Sequence, residues 1–298
     1  MTEMSTRKVL ELARERIMQR REDEQLQQEQ VYQEQHDRDR PWRLAFLLSL
    51  GGVVLALLLT PGVPLDEKMY AVLHGLCSQE HNIILGGIQF PICARCSGIY
   101  ISMLNTMLVV WLLGRGRAGR IPPLPILAVL VLFVVLMGID GVNSMAEGMA
   151  LPWHFYQSYN VVRTITGLGM GVAIGLLIIL MFNLSLRRNT NHEQPVLATW
   201  RELGIILALN FLVLVAIYGN LELLAWPLAF MAFFGMISVI YMVSLILVSL
   251  LMGYDDTVTS LTQLARPATL AFIPTLVLIA AFTLLRYWLE AQMSVISG

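Results

Sequence analysis

Seven long segments of the chain contain no Asp, Glu, Lys or Arg residue, and this pattern restricts the possible folds more than any other feature. A helix needs about 20 predominantly apolar residues to cross the hydrocarbon core of a bilayer. The segments therefore predict an all-α integral membrane protein with seven transmembrane helices. They are Leu44–Leu65, Cys96–Gly114, Ile121–Ile139, Thr164–Leu186, Leu203–Leu221, Leu223–Tyr254 and Pro267–Leu285.

Composition supports this assignment and divides the chain in two. Hydrophobic residues make up 56% of the sequence, and charged residues make up 14%, against roughly 25% in a soluble domain. Residues 1–43 carry 19 of the 41 charged side chains, which predicts a charged N-terminal tail followed by a transmembrane domain over residues 44–298. A soluble enzyme is excluded, and the net charge of −1 argues against a nucleic-acid-binding protein.

The loops differ strongly in basic residues, and this difference predicts the orientation. Cytoplasmic loops of membrane proteins carry an excess of Lys and Arg. With the N-terminus in the cytoplasm, 16 of the 20 basic residues lie on the cytoplasmic side. We therefore expect a multi-pass protein of the cytoplasmic (inner) membrane, with a cytoplasmic N-terminus and an extracytoplasmic C-terminus. The four basic residues on the outer side are Lys68, Arg95, Arg163 and Arg286.

The N-terminal tail has no apolar stretch of the kind found in a secretory signal peptide. Between Lys8 and Tyr32 it has few helix-breaking residues, which predicts a solvated cytoplasmic helix. The alternative is a helix that docks a membrane-protein partner. The fading apolar stripe after Met18 does not favour a coiled coil.

The predicted first outer loop, residues 61–95, is unusually long, and long loops are often functional. Cys77 and His81 are four residues apart, so they would share one face of a helix. Cys93 and Cys96 have a spacing familiar from metal knuckles, and the pair Gly86–Gly87 can turn the chain back to bring the two halves together. The candidate metal ligands are Cys77, Cys93, Cys96, His81 and His74.

Three interpretations of these cysteines remain open. The first is a zinc or similar soft-metal site with three thiolates and one imidazole, because both ligand types suit Zn²⁺. The second is a disulfide in an oxidising compartment, with one reactive thiol left over. The third is a set of small side chains that only pack the loop.

Two arginines at the predicted outer ends of helices indicate a second kind of site. Arg95 and Arg163 would add their charges to the positive ends of two helix dipoles. Asp140 ends the third predicted span on the same side and could pair with one of them. Such a place suits a phosphate or carboxylate group. The candidate anion-binding residues are Arg95, Arg163, Asp140 and Asn160.

The stretch from His74 to Tyr100, with Cys77-Ser-Gln79 and Pro91-Ile-Cys93-Ala-Arg95-Cys96-Ser-Gly98, resembles an uncharacterised prokaryotic membrane-protein family called domain of unknown function 2085. A second stretch is similar too: Asp140-Gly141, then Asn160-x-x-Arg163-x-x-x-Gly167. The resemblance covers roughly residues 65–180. Many relatives have histidine where this chain has Ser78, so His81 or His74 would have to replace that histidine. The resemblance implies a multi-pass membrane protein without a settled activity.

Together these features predict an extracytoplasmic site that binds a metal, an anionic small molecule or a lipid head group. The alternatives are a membrane enzyme, using metal-assisted or thiol redox chemistry, and an accessory subunit of a membrane complex. No sequence motif identifies a catalytic residue.

Overall fold

The computed structural model describes residues 40–149, 151, 153 and 155–297. The helix and the partner-docking role predicted for residues 1–39 lie outside this part of the chain. Within it, seven helices are long and apolar enough to cross a membrane, which confirms the predicted fold class. They are α1 (Arg40–Leu59), α3 (Ala94–Leu112), α4 (Leu124–Gly148), α5 (Asn160–Leu186), α6 (Trp200–Tyr218), α7 (Ala225–Leu251) and α8 (Ala265–Ser297).

Shorter elements lie at the two ends of the bundle. Residues 60–93 connect α1 to α3 and form helix α2 (Leu65–Val72) and an antiparallel hairpin of β1 (Asn82–Leu85) and β2 (Ile88–Cys93). We call the end of the bundle that carries residues 60–93 the cysteine end. At the opposite end, β3 (Ala118–Arg120) pairs in parallel with β4 (Asn191–Pro195).

Helix α4 extends nine residues beyond its predicted end at Ile139, so the prediction that Asp140 ends this span was wrong. Counting charge-free residues assumes that a charge stops a membrane helix. Asp140 is instead 1% exposed and paired with a basic side chain of another helix, so its charge is compensated where it is buried. The consequence is that the last turns of α4 present polar side chains to the cysteine end.

Helices α3 and α5 form the tightest contact in the bundle, because glycines on α5 allow the two backbones to approach. A Cβ atom added to Gly167 would lie 2.2 Å from the carbonyl oxygen of Arg95, and one added to Gly171 would lie 2.2 Å from that of Ile99. The hydroxyl of Ser102 also donates a hydrogen bond of 2.6 Å to the carbonyl of Leu168. This contact holds the start of α3, which carries Cys96, against the start of α5.

Burial separates central helices from peripheral ones. Among the 18 most apolar consecutive residues of each helix, 56% are buried in α5 and 50% in α3, but none is buried in α1. The large apolar side chains that remain exposed suit a chain whose solvent is lipid.

Candidate functional site

The loop that carries Cys77 is held by Gln79, which adopts a left-handed backbone conformation with φ of 58°. Its side-chain amide donates hydrogen bonds to the carbonyls of Tyr70 (2.8 Å) and Pro91 (2.6 Å). Its side-chain oxygen lies 2.7 Å from Nδ1 of His74. One buried side chain thus joins α2, the loop and β2, so Cys77 has a defined position relative to the strand that ends at Cys93.

A hairpin brings the second half of the loop back. Gly86 and Gly87 have φ values of 56° and 75°, the left-handed pair that a tight two-residue β-turn requires. Strand β2 then ends at Cys93, which is the residue preceding helix α3, and Cys96 lies in the first turn of α3. The predicted role of the glycine pair is confirmed. A shared helical face of Cys77 and His81 does not occur, because Cys77 and the two residues after it are not helical.

The three cysteines form one cluster, as the sequence predicted. Their Sγ atoms all lie within 4.8 Å of one another, and those of Cys77 and Cys96 are 3.7 Å apart. None of the three is in a disulfide. Four sulfurs placed about 2.3 Å from a tetrahedral zinc ion are separated by about 3.8 Å. The Cys77–Cys96 distance therefore corresponds to two ligands of one ion, and not to the roughly 2.0 Å of a disulfide bond.

Hydrogen bonds within the cluster shift the pKa values of Cys93 and Cys77 in opposite directions. The Cys77 thiol lowers the pKa of Cys93 by hydrogen bonding to it, and Cys96 and the Arg95 guanidinium lower it further. The same contact with Cys93 raises the pKa of Cys77, and burial adds to that rise. The arrangement therefore favours one thiolate at Cys93 stabilised by thiol neighbours. Thiolate is the form of cysteine that binds metals and acts as a nucleophile.

Neither histidine candidate belongs to this cluster of donor atoms. Both ring nitrogens of His74 have partners, Gln79 at 2.7 Å and the carboxylate of Glu290 at 2.8 Å. His81 is exposed on the surface of the protein. Three sulfurs are thus the complete set of close metal-ligating atoms that the described residues provide here.

Sequence reasoning missed the contribution of α8, which closes over the cysteine loop. The guanidinium of Arg286 donates to the carbonyls of His74 (2.6 Å), Cys77 and Ser78 (3.0 Å). Glu290 binds both Arg286, at 2.8 Å, and His74. The available signal was an Arg and a Glu four residues apart, directly after the last charge-free segment. The sequence itself did not indicate that this pair would contact a loop some 200 residues earlier.

Asp140 pairs with one of the two arginines, as predicted, and its partner is Arg95. Asp140 Oδ2 accepts hydrogen bonds from Nε (2.9 Å) and Nη2 (2.5 Å) of Arg95. The same guanidinium donates to the hydroxyl of Ser144 at 2.7 Å, and Tyr156 donates to Asp140 Oδ1 at 2.6 Å. Tyr156, in the segment between α4 and α5, thus supplies a direct partner of the buried carboxylate.

Arg163 lies in the first turn of α5 and is only 5% exposed. Its guanidinium donates to the amide oxygen of Asn160 at 3.4 Å, and among the described residues it is in no salt bridge. The nearby Tyr156 hydroxyl has its pKa raised to about 12 by burial and by its bond to Asp140, while Arg95 and Arg163 pull that pKa down. Both arginines therefore act on the same polar cluster.

These features define a multi-pass α-helical membrane protein with a cluster of three thiols at one end of its bundle. Residues 77–177 match the model of a family described as "Predicted membrane protein (DUF2085)", which confirms the resemblance expected from the sequence. The matched region contains the three cysteines, Arg95, Asp140 and Arg163, and covers about a third of the chain. No curated protein and no solved structure matches the chain.

Proposed function

We propose that this membrane protein binds a soft metal ion, most simply Zn²⁺, through Cys77, Cys93 and Cys96. The observation that carries the proposal is the mutual approach of three thiol sulfurs contributed by a loop, the end of a strand and the first turn of a helix. Thiolates select soft and borderline metals over Mg²⁺ or Ca²⁺. The low proton affinity of Cys93 and the adjacent positive helix end favour the thiolate form.

Three protein ligands leave one position of a tetrahedral ion for water or a substrate. That is the arrangement of catalytic zinc sites, whereas structural sites are closed by four protein ligands. The exclusion of both histidines from the cluster therefore favours the enzyme alternative over a purely structural zinc site. The reaction would be metal-assisted, with the bound ion lowering the pKa of its water.

Metal content and coordination of the full chain in detergent test the proposal. We expect about one zinc per chain with three sulfur neighbours near ~2.3 Å and one lighter neighbour in X-ray absorption. Cys77→Ser, Cys93→Ser and Cys96→Ser should each lose the metal, while the matched control Ser78→Ala and the variant His81→Ala should retain it. Unchanged metal in a triple Cys→Ser variant would overturn the proposal. Metal-free protein with one fast-reacting thiol would instead support thiol redox chemistry.

A second candidate function, anion binding at Arg163, is favoured by one observation. Asp140 neutralises Arg95, whereas the buried guanidinium of Arg163 donates to the uncharged Asn160 and is in no salt bridge with any described residue. A buried charge without a counter-ion costs several kcal/mol. A bound phosphate or carboxylate group beside Arg163 and Asn160 would remove that cost.

Thermal unfolding in detergent tests this second candidate. Phosphate should stabilise the wild-type chain but not Arg163→Gln, and Arg163→Lys should respond only weakly because lysine lacks the planar two-pronged donor. Arg120→Gln, on an exposed residue of β3, is the control and should respond as the wild type does. Equal stabilisation of Arg163→Gln would contradict the candidate function.

We propose further that the cysteine end faces away from the cytoplasm, in the cytoplasmic membrane. The support is the unequal distribution of basic residues, 16 against 4. A membrane-impermeant thiol reagent should then label Cys77, Cys93 or Cys96 in intact cells once metal is removed. A reporter fused after Gly298 should be active outside the cytoplasm, and cytoplasmic activity would reverse the proposed orientation.

A further inference from the structure

A pocket at the end of the bundle opposite the cysteines is lined by two arginines and two hydroxyl groups. It has a volume of about 650 Å³ and lies between the end of α3, the end of α5 and the segment that leads into α8. Backbone contacts shape it, since residues 258 and 187–188 bridge the segment to α5. Its polar lining residues are Arg117, Arg187, Thr259 and Ser260.

The two arginines of this pocket lack the compensation that a neighbouring arginine has. Arg115 is paired with Glu202 at 2.6 Å and donates to the carbonyl of Pro195. Neither Arg117 nor Arg187 is in a salt bridge with any described residue. Burial and the nearby charge of Arg117 lower the pKa of Arg187, so the half-buried guanidinium of Arg187 and the exposed one of Arg117 repel each other. A dianion or monoanion between them would remove this repulsion.

An apolar cavity adjoins the basic pocket. It has a volume of about 130 Å³, shares Trp111 and Gly116 with the pocket, and is otherwise lined mainly by side chains of α3, α5 and α7 such as Met107, Ile179 and Met242. At its wall, the Oδ1 atom of the buried Asn183 has no hydrogen-bond partner among the described residues. The space therefore offers an apolar slot next to a positively charged rim.

The position of the pocket at the ends of two membrane-spanning helices indicates the depth of lipid head groups. Trp111 and Arg187 are at the ends of their membrane-spanning helices, and tryptophan favours the membrane–water interface. Leu112 and Leu261 are exposed beside the same opening. A ligand with a charged head and an acyl chain matches this combination of a basic rim and an apolar slot, whereas a free phosphate ester would use only the rim.

We propose that this pocket binds an anionic phospholipid, with its phosphate between Arg117 and Arg187 and an acyl chain in the cavity beside Asn183. The hydroxyls of Thr259 and Ser260 complete the polar wall. Basic pockets between membrane helices bind anionic head groups in this way. The inference does not depend on metal binding by the cysteines.

Native mass spectrometry of the delipidated full chain tests the proposal. The probes are phosphatidylglycerol and phosphatidylcholine with identical acyl chains. We expect the wild type to prefer phosphatidylglycerol, and Arg117→Gln/Arg187→Gln to bind it about thirtyfold more weakly, which is about fivefold per arginine. Arg120→Gln/Arg188→Gln removes the same charge from exposed residues outside the pocket and should bind as the wild type does.

Three outcomes would overturn the proposal. The first is unchanged phosphatidylglycerol affinity in Arg117→Gln/Arg187→Gln. The second is an equal loss in the control pair, since the effect would then come from surface charge in general. The third is displacement of the lipid by an equal concentration of glycerol phosphate, because the site would then recognise a free phosphate ester. Thermal unfolding of both double variants without lipid checks that each is folded, and phosphatidylglycerol should stabilise only the control pair and the wild type.

Discussion

Replacing Gly171 with alanine tests the contact between α3 and α5 on which the position of the cysteines depends. The added Cβ would lie 2.2 Å from the carbonyl oxygen of Ile99 and 2.7 Å from Cβ of Ser102. Non-bonded atoms in good contact are about 3.5 Å apart, so the two helices would have to separate by about 1 Å. Neither obstacle is the flexible end of a side chain, so a rotamer change cannot relieve the clash.

The expected cost follows from two contributions. Overpacking of a well-packed interface costs about 1–3 kcal/mol. Separation of the helices also weakens the hydrogen bond from Ser102 to Leu168, which contributes about 1 kcal/mol. We expect the free energy of unfolding of Gly171→Ala to fall by about 2–4 kcal/mol relative to the wild type.

Reversible unfolding in mixed micelles, followed by circular dichroism as the denaturing detergent is increased, measures this change. Gly204→Ala is the matched control, because a Cβ on this glycine of α6 meets no atom within 4 Å. An alanine in an exposed helix interior should stabilise the chain by about 0.5–1 kcal/mol. Gly175→Ala should lie between the two, since its nearest contacts are 3.0 Å. If Gly171→Ala were as stable as Gly204→Ala, the close approach of α3 and α5 would be refuted.

Three further predictions concern the cysteine end. Asp140→Asn should destabilise the chain by about 3–5 kcal/mol, because Arg95 loses its counter-ion. The double variant Arg95→Gln/Asp140→Asn should recover much of that loss of stability, and no recovery would refute the pairing. In an alkaline ultraviolet titration, Tyr156→Phe should remove a component with a pKa of about 12; a component near 10 would contradict its hydrogen bond to Asp140. Because the folded-state pKa of this tyrosine is raised, its contribution to stability is present at neutral pH and is lost as the pH rises above about 10 toward 12. Arg286→Gln should increase the protease sensitivity of residues 74–78 without reducing helix content, since the carbonyls of His74, Cys77 and Ser78 lose a donor and Glu290 loses its ion pair; unchanged cleavage would argue against the clamp by α8.

The candidate site shows which contacts between residues can be predicted from a sequence. The cysteine cluster was predictable because its parts are close in the chain and a glycine pair turns between them. The exclusion of His74 from this cluster was not predictable, because it depends on a contact with Glu290, 216 residues away. The length of α4 was mispredicted for the same reason, because the group that neutralises Asp140 belongs to another helix.

The sequence by itself determined the membrane environment, the seven spans and the face of α5 on which Gly167, Gly171 and Gly175 recur every four residues. These properties depend on the transfer of one segment from water to lipid, or on small residues at helical spacing, and both are local. The tertiary structure alone decided which arginine Asp140 neutralises, that Arg163 remains without a charged partner among the described residues, and that Arg117 and Arg187 share a pocket. A buried charge is stable only beside a specific partner, and the partner is chosen by helix packing, which brings together residues far apart in the chain.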